Sequence, residues 1–298
     1  MLEQLKKKFI ENKSFEFEQE ENGFISVNVN NRSAKAKIHL HGAHITEFKP
    51  HGQEPILWLT EKLILKDDFP IRGGIPICWP WFAAHPADES KPFHGFVRKM
   101  KWDLLNINSD DKDTTIVELG LKENNATIEL FPYKFEIIMR FTIAKSLKFE
   151  LLINNKDTKP FITGGAFHTY FNIGNIDDIS IEGLDKTKYI DSIDKRKIKE
   201  QKGDIKVNCE VDRIYFNTES NYIIKDAKFA RNIFVNKKGS SSTVVWNPWI
   251  DKAKDIKDFA DNEYKDMVCI EIANAEEDVY ELAPNETHIL GGEIGILD

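Results

Sequence analysis

Residues of the type that moves protons or grips anions are scattered along this chain of 298 residues: Arg72, His94 and Arg98 close together, then His168, Asp212 and Glu271 far apart. The first three fall in the stretch Phe69 to Trp102, where two arginines, three glycines and two histidines sit among seven aromatic residues. A plain core strand has no use for that mixture. Arginine offers a planar fork that matches the oxygens of a phosphate or carboxylate, and aromatic rings supply apolar pocket walls. Gly73 and Gly74 permit backbone conformations closed to other residues.

Alternation gives the next two residues their setting. Read as a strand, Gly165 to Phe171 puts Ala166, His168 and Tyr170 on one face and Phe167, Thr169 and Phe171 on the other. The aromatic face wants a core, so His168 looks the opposite way. A lone histidine in such a place is often a satisfied structural residue. In Met267 to Ala275, Val268, Ile270 and Ile272 point one way and Cys269, Glu271 and Ala273 the other. A carboxyl group among small residues in an apolar strand is costly unless used or paired. Desolvation raises its pKa toward the range of a general base; a buried ion pair with an arginine is the competing reading. Asp212 can bind hydroxyl groups, but beside Arg213 it reads equally as half of a solvated ion pair.

His39, His41 and His44 are close enough to raise a metal site, yet no Cys, Asp or further His stands at matching spacing, and Gly42 between them reads as a bulge or turn. No phosphate loop, dinucleotide glycine pattern or nucleophile-elbow motif occurs. No cofactor is expected.

The elements that must position these groups are mostly strands. Leu2, Leu5 and Phe9 predict a short N-terminal helix within a lead-in of residues 1–20. Strands are expected at Phe24–Val29, Lys35–Leu40, Thr115–Leu121, Ile179–Ile181, Ile205–Val211, Asn232–Val235, Ser242–Trp246, Met267–Ile272 and Thr287–Leu290, and a hairpin from Phe135–Ala144 and Leu147–Asn154. Asn172–Asp178, Asp191–Asp204 and Asn236–Ser241 read as links, and a second helix is placed around Asp255–Tyr264. The absence of alternating strands and helices argues against a parallel doubly wound sheet. With no linker or repeat, residues 1–298 read as one all-β domain, a large antiparallel sandwich with long functional loops.

Composition narrows the partners. Hydrophobic residues make up 41% and charged ones 30%, the balance of a soluble globular protein. A net charge of −8 argues against nucleic acid and anionic membrane surfaces; an anionic substrate would need a local basic patch such as Arg72 and Arg98. Three widely spaced cysteines suit a reducing cytoplasm, and neither a signal core nor a spanning run is present. A monomer is the expected state.

Several blocks in this order resemble one family: Arg72-Gly73-Gly74 leading to Trp79-Pro80-Trp81-Phe82, then His94-Gly95-Phe96-Val97-Arg98 with Trp102, and Phe167-His168-Thr169-Tyr170-Phe171. Asp212-Arg213-Ile214-Tyr215, Trp246-Asn247-Pro248-Trp249 and Cys269-Ile270-Glu271-Ile272-Ala273-Asn274 follow. Together they are similar to the glucose-6-phosphate 1-epimerases (hexose-6-phosphate mutarotases), a branch of the aldose 1-epimerase, galactose mutarotase-like superfamily. The resemblance implies a β-supersandwich with one cleft, His168 as general acid and Glu271 as general base. It further implies that Arg72, His94, Arg98 and Asp212 bind a sugar phosphate and that no metal or cofactor is needed. Phe93 departs from the pattern, since relatives can carry a polar residue there. A carbohydrate-binding module on the same fold, a two-carboxylate glycoside hydrolase and a metal-dependent isomerase built on His39, His41 and His44 are the rival readings.

Overall fold

Phe135, Ile137, Met139, Phe141 and Ile143 alternate with polar or half-buried residues along Phe135–Ile143, so one face of that strand is fully buried. Its neighbour Leu147–Asn155 does the same with Leu147, Phe149, Leu151 and Ile153, and the two form a continuous antiparallel hairpin from Phe135 opposite Asn155 to Ile143 opposite Leu147. The computed structural model describes residues 1–10, 12–109, 113–218 and 221–297. The hairpin lies inside an eight-stranded sheet whose order is Ile179–Glu182, Tyr222–Asp226, Arg231–Lys238, Thr287–Ile296, Leu147–Asn155, Phe135–Ile143, Thr115–Lys122 and Asp103–Ser109.

A second eight-stranded antiparallel sheet holds the candidate residues. Its path runs Lys197–Glu200, Lys188–Asp191, Val211–Phe216, Ser242–Asn247, Met267–Asn274, Gly165–Phe167 and Ile77–Cys78, and Tyr170–Asn172 also pairs with Met267–Asn274. The inner faces of the two sheets share one apolar core. Phe149 meets Phe167 edge-on at 4.8 Å. Gly292 stands where the sheets press together: a Cβ there would come within 2.2 Å of Ile272 Cδ1. A four-stranded sheet of Phe15–Gln19, Ile25–Asn30, Ala34–His39 and His44–Pro50 and a two-stranded one of Phe161–Thr163 and Tyr280–Leu282 complete the architecture. The antiparallel all-β reading holds.

Most expected strands are present, the helix Leu2–Lys8 included. Four expectations need correction. Ile205–Val211 is no strand: Ile205 makes one isolated bridge to Ile181, and the strand starts at Val211. Ile205 and Val207 are buried, so their alternation records a loop pinned on the core. The links at Asp191–Asp204 and Asn236–Ser241 contain ladder: Lys197–Glu200 pairs with Lys188–Asp191, and the strand Arg231–Lys238 runs on to the turn at Gly239. The second helix is Trp249–Asp255, not Asp255–Tyr264. Pro248 precedes its first turn, where a missing N–H costs nothing. The chain turns extended at Ile256 because Asp258 and Phe259 are committed to distant partners, Arg72 and Trp58.

Candidate active site

Register brings the first pair together. On Met267–Asn274, Ile272 faces Phe167 and Cys269 faces Tyr170. Between those pairings the ladder is interrupted at His168 and Thr169, and His168 Nε2 stands 3.5 Å from Glu271 Oε1 across the gap. The peptide of His168 donates to the carbonyl of Pro76 at 3.0 Å, and that of Tyr170 to Gly74 at 2.9 Å. The glycine segment after Arg72 therefore replaces the missing ladder. Gly73 and Gly74 both have positive φ, and a Cβ on Gly74 would lie 2.1 Å from the carbonyl oxygen of Ile45.

The faces fall as alternation requires. Phe167 and Phe171 enter the core between the sheets, while Tyr170 lies parallel to His168 with centroids 4.7 Å apart. Glu271 is 1% exposed on a strand buried along both faces, beside Cys269 and Ala273. Cys78, Ala166, Ile214, Val244 and Ala273 form a cluster of small and medium apolar side chains, with Val244 opposite Glu271 and Ala166 opposite Ala273 in the ladder. Glu271 Oε2 and His168 Nδ1 are buried without a hydrogen-bond partner among the described residues. Buried polar atoms are seldom left so, and each is a group that a polar ligand satisfies. The competing ion pair of Glu271 with an arginine is not found among the described residues.

The other candidates surround this pair. His94 accepts the peptide N–H of Ala83 on Nδ1 at 3.0 Å, which leaves Nε2 carrying the proton in the neutral ring, and its ring meets that of His168 edge-on at 5.7 Å. Arg98 Nη2 donates to the Phe93 carbonyl at 2.9 Å, its Nε is buried without a partner, and no ion pair of Arg98 with a carboxylate is found among the described residues. Asp212 sits opposite Trp246, which sits opposite Cys269. It makes no pair with Arg213, whose guanidinium turns to Gln201 and the ring of Tyr189. Arg72 is clamped: Nε and Nη2 donate to Asp258 at 3.2 and 3.0 Å, and Nη1 to the Tyr170 hydroxyl at 3.2 Å.

Electrostatics follow from burial. Desolvation, reinforced by the nearby charges of Arg98 and Arg72, lowers His168 to about 3. Desolvation, with Asp212 adding repulsion, holds Glu271 well above the usual carboxylate range. His94 is likewise depressed, by burial and then Arg98. Burial thus disfavours charge on all three central groups, and cationic and anionic groups stand at their margin. His41 and His44 point elsewhere: their Nε2 atoms meet the carbonyls of Phe69 at 3.1 Å and Gly73 at 2.7 Å, Gly42 takes a turn conformation, and no metal-holding cluster occurs among the described residues.

Sequence reasoning missed Asp258 and gave Tyr170 no separate task. Nothing local flags Asp258, because its partner lies 186 residues away. Trp58 also went unnoticed; it stacks on Tyr170 at 5.6 Å.

A model of the family described as Aldose 1-epimerase matches residues 26–294. The chain belongs to the aldose 1-epimerase family. A relative from Cenchrus ciliaris named "putative glucose-6-phosphate 1-epimerase" is 35% identical over 266 residues, 86% of this chain and 79% of its own. One of the same name from Salmonella typhimurium is 34% identical over 259 residues, 87% and 84% of the two chains. A crystal structure of a "putative mutarotase" from Salmonella typhimurium superposes with a TM-score of 0.90 at 30% identity, covering 96% of this chain and 95% of that one. The protein is thus an isomerase of the epimerase type on the mutarotase fold. No helix of this epimerase is long and apolar enough to cross a membrane among the described residues.

Proposed function

We propose that this epimerase interconverts the α and β anomers of a hexose 6-phosphate, D-glucose 6-phosphate first among them, with His168 and Glu271 moving the protons. The observation that carries the reading is the buried His168–Glu271 pair at 3.5 Å, with a free nitrogen on one partner and a free oxygen on the other. The names of the relatives from Cenchrus ciliaris and Salmonella typhimurium support the choice of substrate.

Anomerisation needs a base at the C1 hydroxyl and an acid at the ring oxygen. A protonated carboxyl beside a neutral imidazole and a carboxylate beside an imidazolium hold the same number of protons. The resting pair therefore carries one transferable proton, placed by burial on Glu271. Passing it to His168 creates the acid and the base with no change in net charge. Glu271 then takes the C1 hydroxyl proton as His168 delivers its own to the ring oxygen, and the bond between C1 and that oxygen breaks. The open aldehyde turns about C1–C2, and reclosure on the other face runs both transfers backwards. His94 orients the sugar through Nε2–H, Asp212 takes hydroxyl groups, and Arg72 and Arg98 draw the phosphate to their side. No cofactor enters. The same reading takes residues 1–298 as one domain, working as a cytoplasmic monomer on a small molecule, with neither nucleic acid nor membrane as partner.

Two-dimensional exchange NMR between the anomers of glucose 6-phosphate, with free glucose and galactose alongside, is the test. Exchange accelerated for the phosphate above the free sugars supports the reading. Equal acceleration of all three removes the phosphate from it. Line broadening with no acceleration assigns the site to sugar binding alone.

A further inference from the structure

Segment 256–263 takes no direct part in the chemistry just described, yet two of its adjacent residues grip the wall of the site. Asp258 is nearly buried and receives the fork of Arg72 through two hydrogen bonds. Phe259 lies against Trp58 at 5.2 Å, and Trp58 stacks on Tyr170. Arg72 donates its remaining contact to the hydroxyl of Tyr170, whose ring lies within 10° of parallel to His168. Trp246 closes the arrangement, edge-on to His168 at 5.8 Å and to Tyr170 at 6.1 Å. The segment is itself anchored: Glu263 accepts from the Thr60 hydroxyl at 2.9 Å and the Glu61 peptide at 2.6 Å.

We propose that Asp258 is a positioning residue of the epimerase: it fixes the guanidinium of Arg72 so that Tyr170 holds the ring of His168 at its working angle to Glu271. The inference rests on the proposed function. Its corollary separates the two arginines. Asp258 balances the charge of Arg72 before any substrate arrives, and three of the five N–H bonds of its fork are committed. Arg98 has no carboxylate partner among the described residues and keeps a buried Nε unpaired. Arg98 therefore supplies the larger share of the discrimination for phosphate, and Arg72 the larger share of the ordering around His168. Two fixed hydrogen bonds from a charged fork are the device that holds a planar group to a narrow range of angles, and small misplacements of reacting groups are expensive.

Asp258→Asn keeps the shape and removes the charge. With glucose 6-phosphate in exchange NMR, its kcat is expected to fall about tenfold while KM stays within about twofold. Asp258→Glu, which restores the carboxylate, recovers part of the loss. Arg98→Ala shows the opposite split, with KM raised about tenfold and kcat little changed. Wild-type kcat in Asp258→Asn, or a rise in KM alone, overturns the proposal. Should Asp258→Asn fail to fold, Tyr170→Phe keeps the ring and removes only the acceptor for Arg72; an unchanged kcat there overturns it equally. The ring carbon and proton shifts of His168 give a readout that needs no turnover. They are expected to move in Asp258→Asn by more than the corresponding signals of His39 and His44, and unmoved shifts overturn the proposal. A wild-type protein that accelerates no sugar removes the proposed function instead, and the shifts still decide the part played by Asp258.

Discussion

Replacing Glu271 by Gln tests whether the site holds its proton in the way the geometry requires. The sign for each partner follows from its direction of shift. His168 is depressed from 6.5 to about 3, so the unfolded chain binds a proton that the folded one does not, and stability is lost as pH falls below 6.5. Glu271 is raised well above 4.5, so its contribution is complete below that pH and is lost as pH rises. Between 4.5 and 6.5 the two slopes cancel. Above 6.5 only the carboxyl slope remains, at about 1.4 kcal/mol per pH unit as long as the folded protein keeps the proton. Glu271→Gln has no such slope. Relative to wild type it should therefore gain stability as pH rises from 5 to 7. Urea unfolding of both proteins at pH 5, 6 and 7 measures the difference directly. Parallel stability profiles would refute the single proton held by the buried pair.

Three further outcomes follow from the same geometry. His168→Asn should lower kcat by about a hundred- to ten-thousand-fold with KM for glucose 6-phosphate nearly kept; a kcat within threefold of wild type in exchange NMR would remove His168 from the proton transfers. Arg72→Ala strands the buried carboxylate of Asp258 and should cost about 3–5 kcal/mol in denaturant unfolding, with Arg72→Ala/Asp258→Ala less costly than the single change; additive losses would contradict the clamp. Gly292→Ala forces a methyl group against Ile272, Phe149 and the carbonyl of Asn236, and should cost about 1–3 kcal/mol by thermal or urea unfolding; a neutral change would mean that the two sheets give way at that point.

What the sequence disclosed was set by how local each cause is. The hairpin of Phe135–Ile143 and Leu147–Asn155 is legible because every second residue is apolar and the other face is mostly polar. The isolated carboxyl of Glu271 among Val268, Ile270 and Ile272 is legible for the same reason, and so is the outward face of His168, even though the ladder breaks there. Asp258 was unreadable because its meaning lies in Arg72, remote in sequence. The helix near residue 255 was misplaced because Asp258 and Phe259 spend their side chains on tertiary partners, which overrides local helical preference. Ile205 and Val207 misled in the opposite direction: a loop that buries two alternating apolar residues has the pattern of a strand without its ladder.

The distribution of charge explains why so few residues suffice. Full charges stand at the margin, on Arg98, on the Arg72–Asp258 clamp and on Asp212, while the centre holds one proton between two groups that burial keeps neutral. An isolated buried ion is costly, and a buried pair that merely shifts a proton internally avoids most of that cost. The same pair must serve α-to-β and β-to-α conversion, because reclosure reverses the transfers of opening. A fixed ion pair would favour one direction of transfer at each oxygen. Two groups with opposed pKa shifts and a single shared proton favour neither. The apolar strand around Glu271 and the proton it shares with His168 are therefore one design: burial that keeps the proton within the pair, and an acid and base that exchange roles when the ring closes.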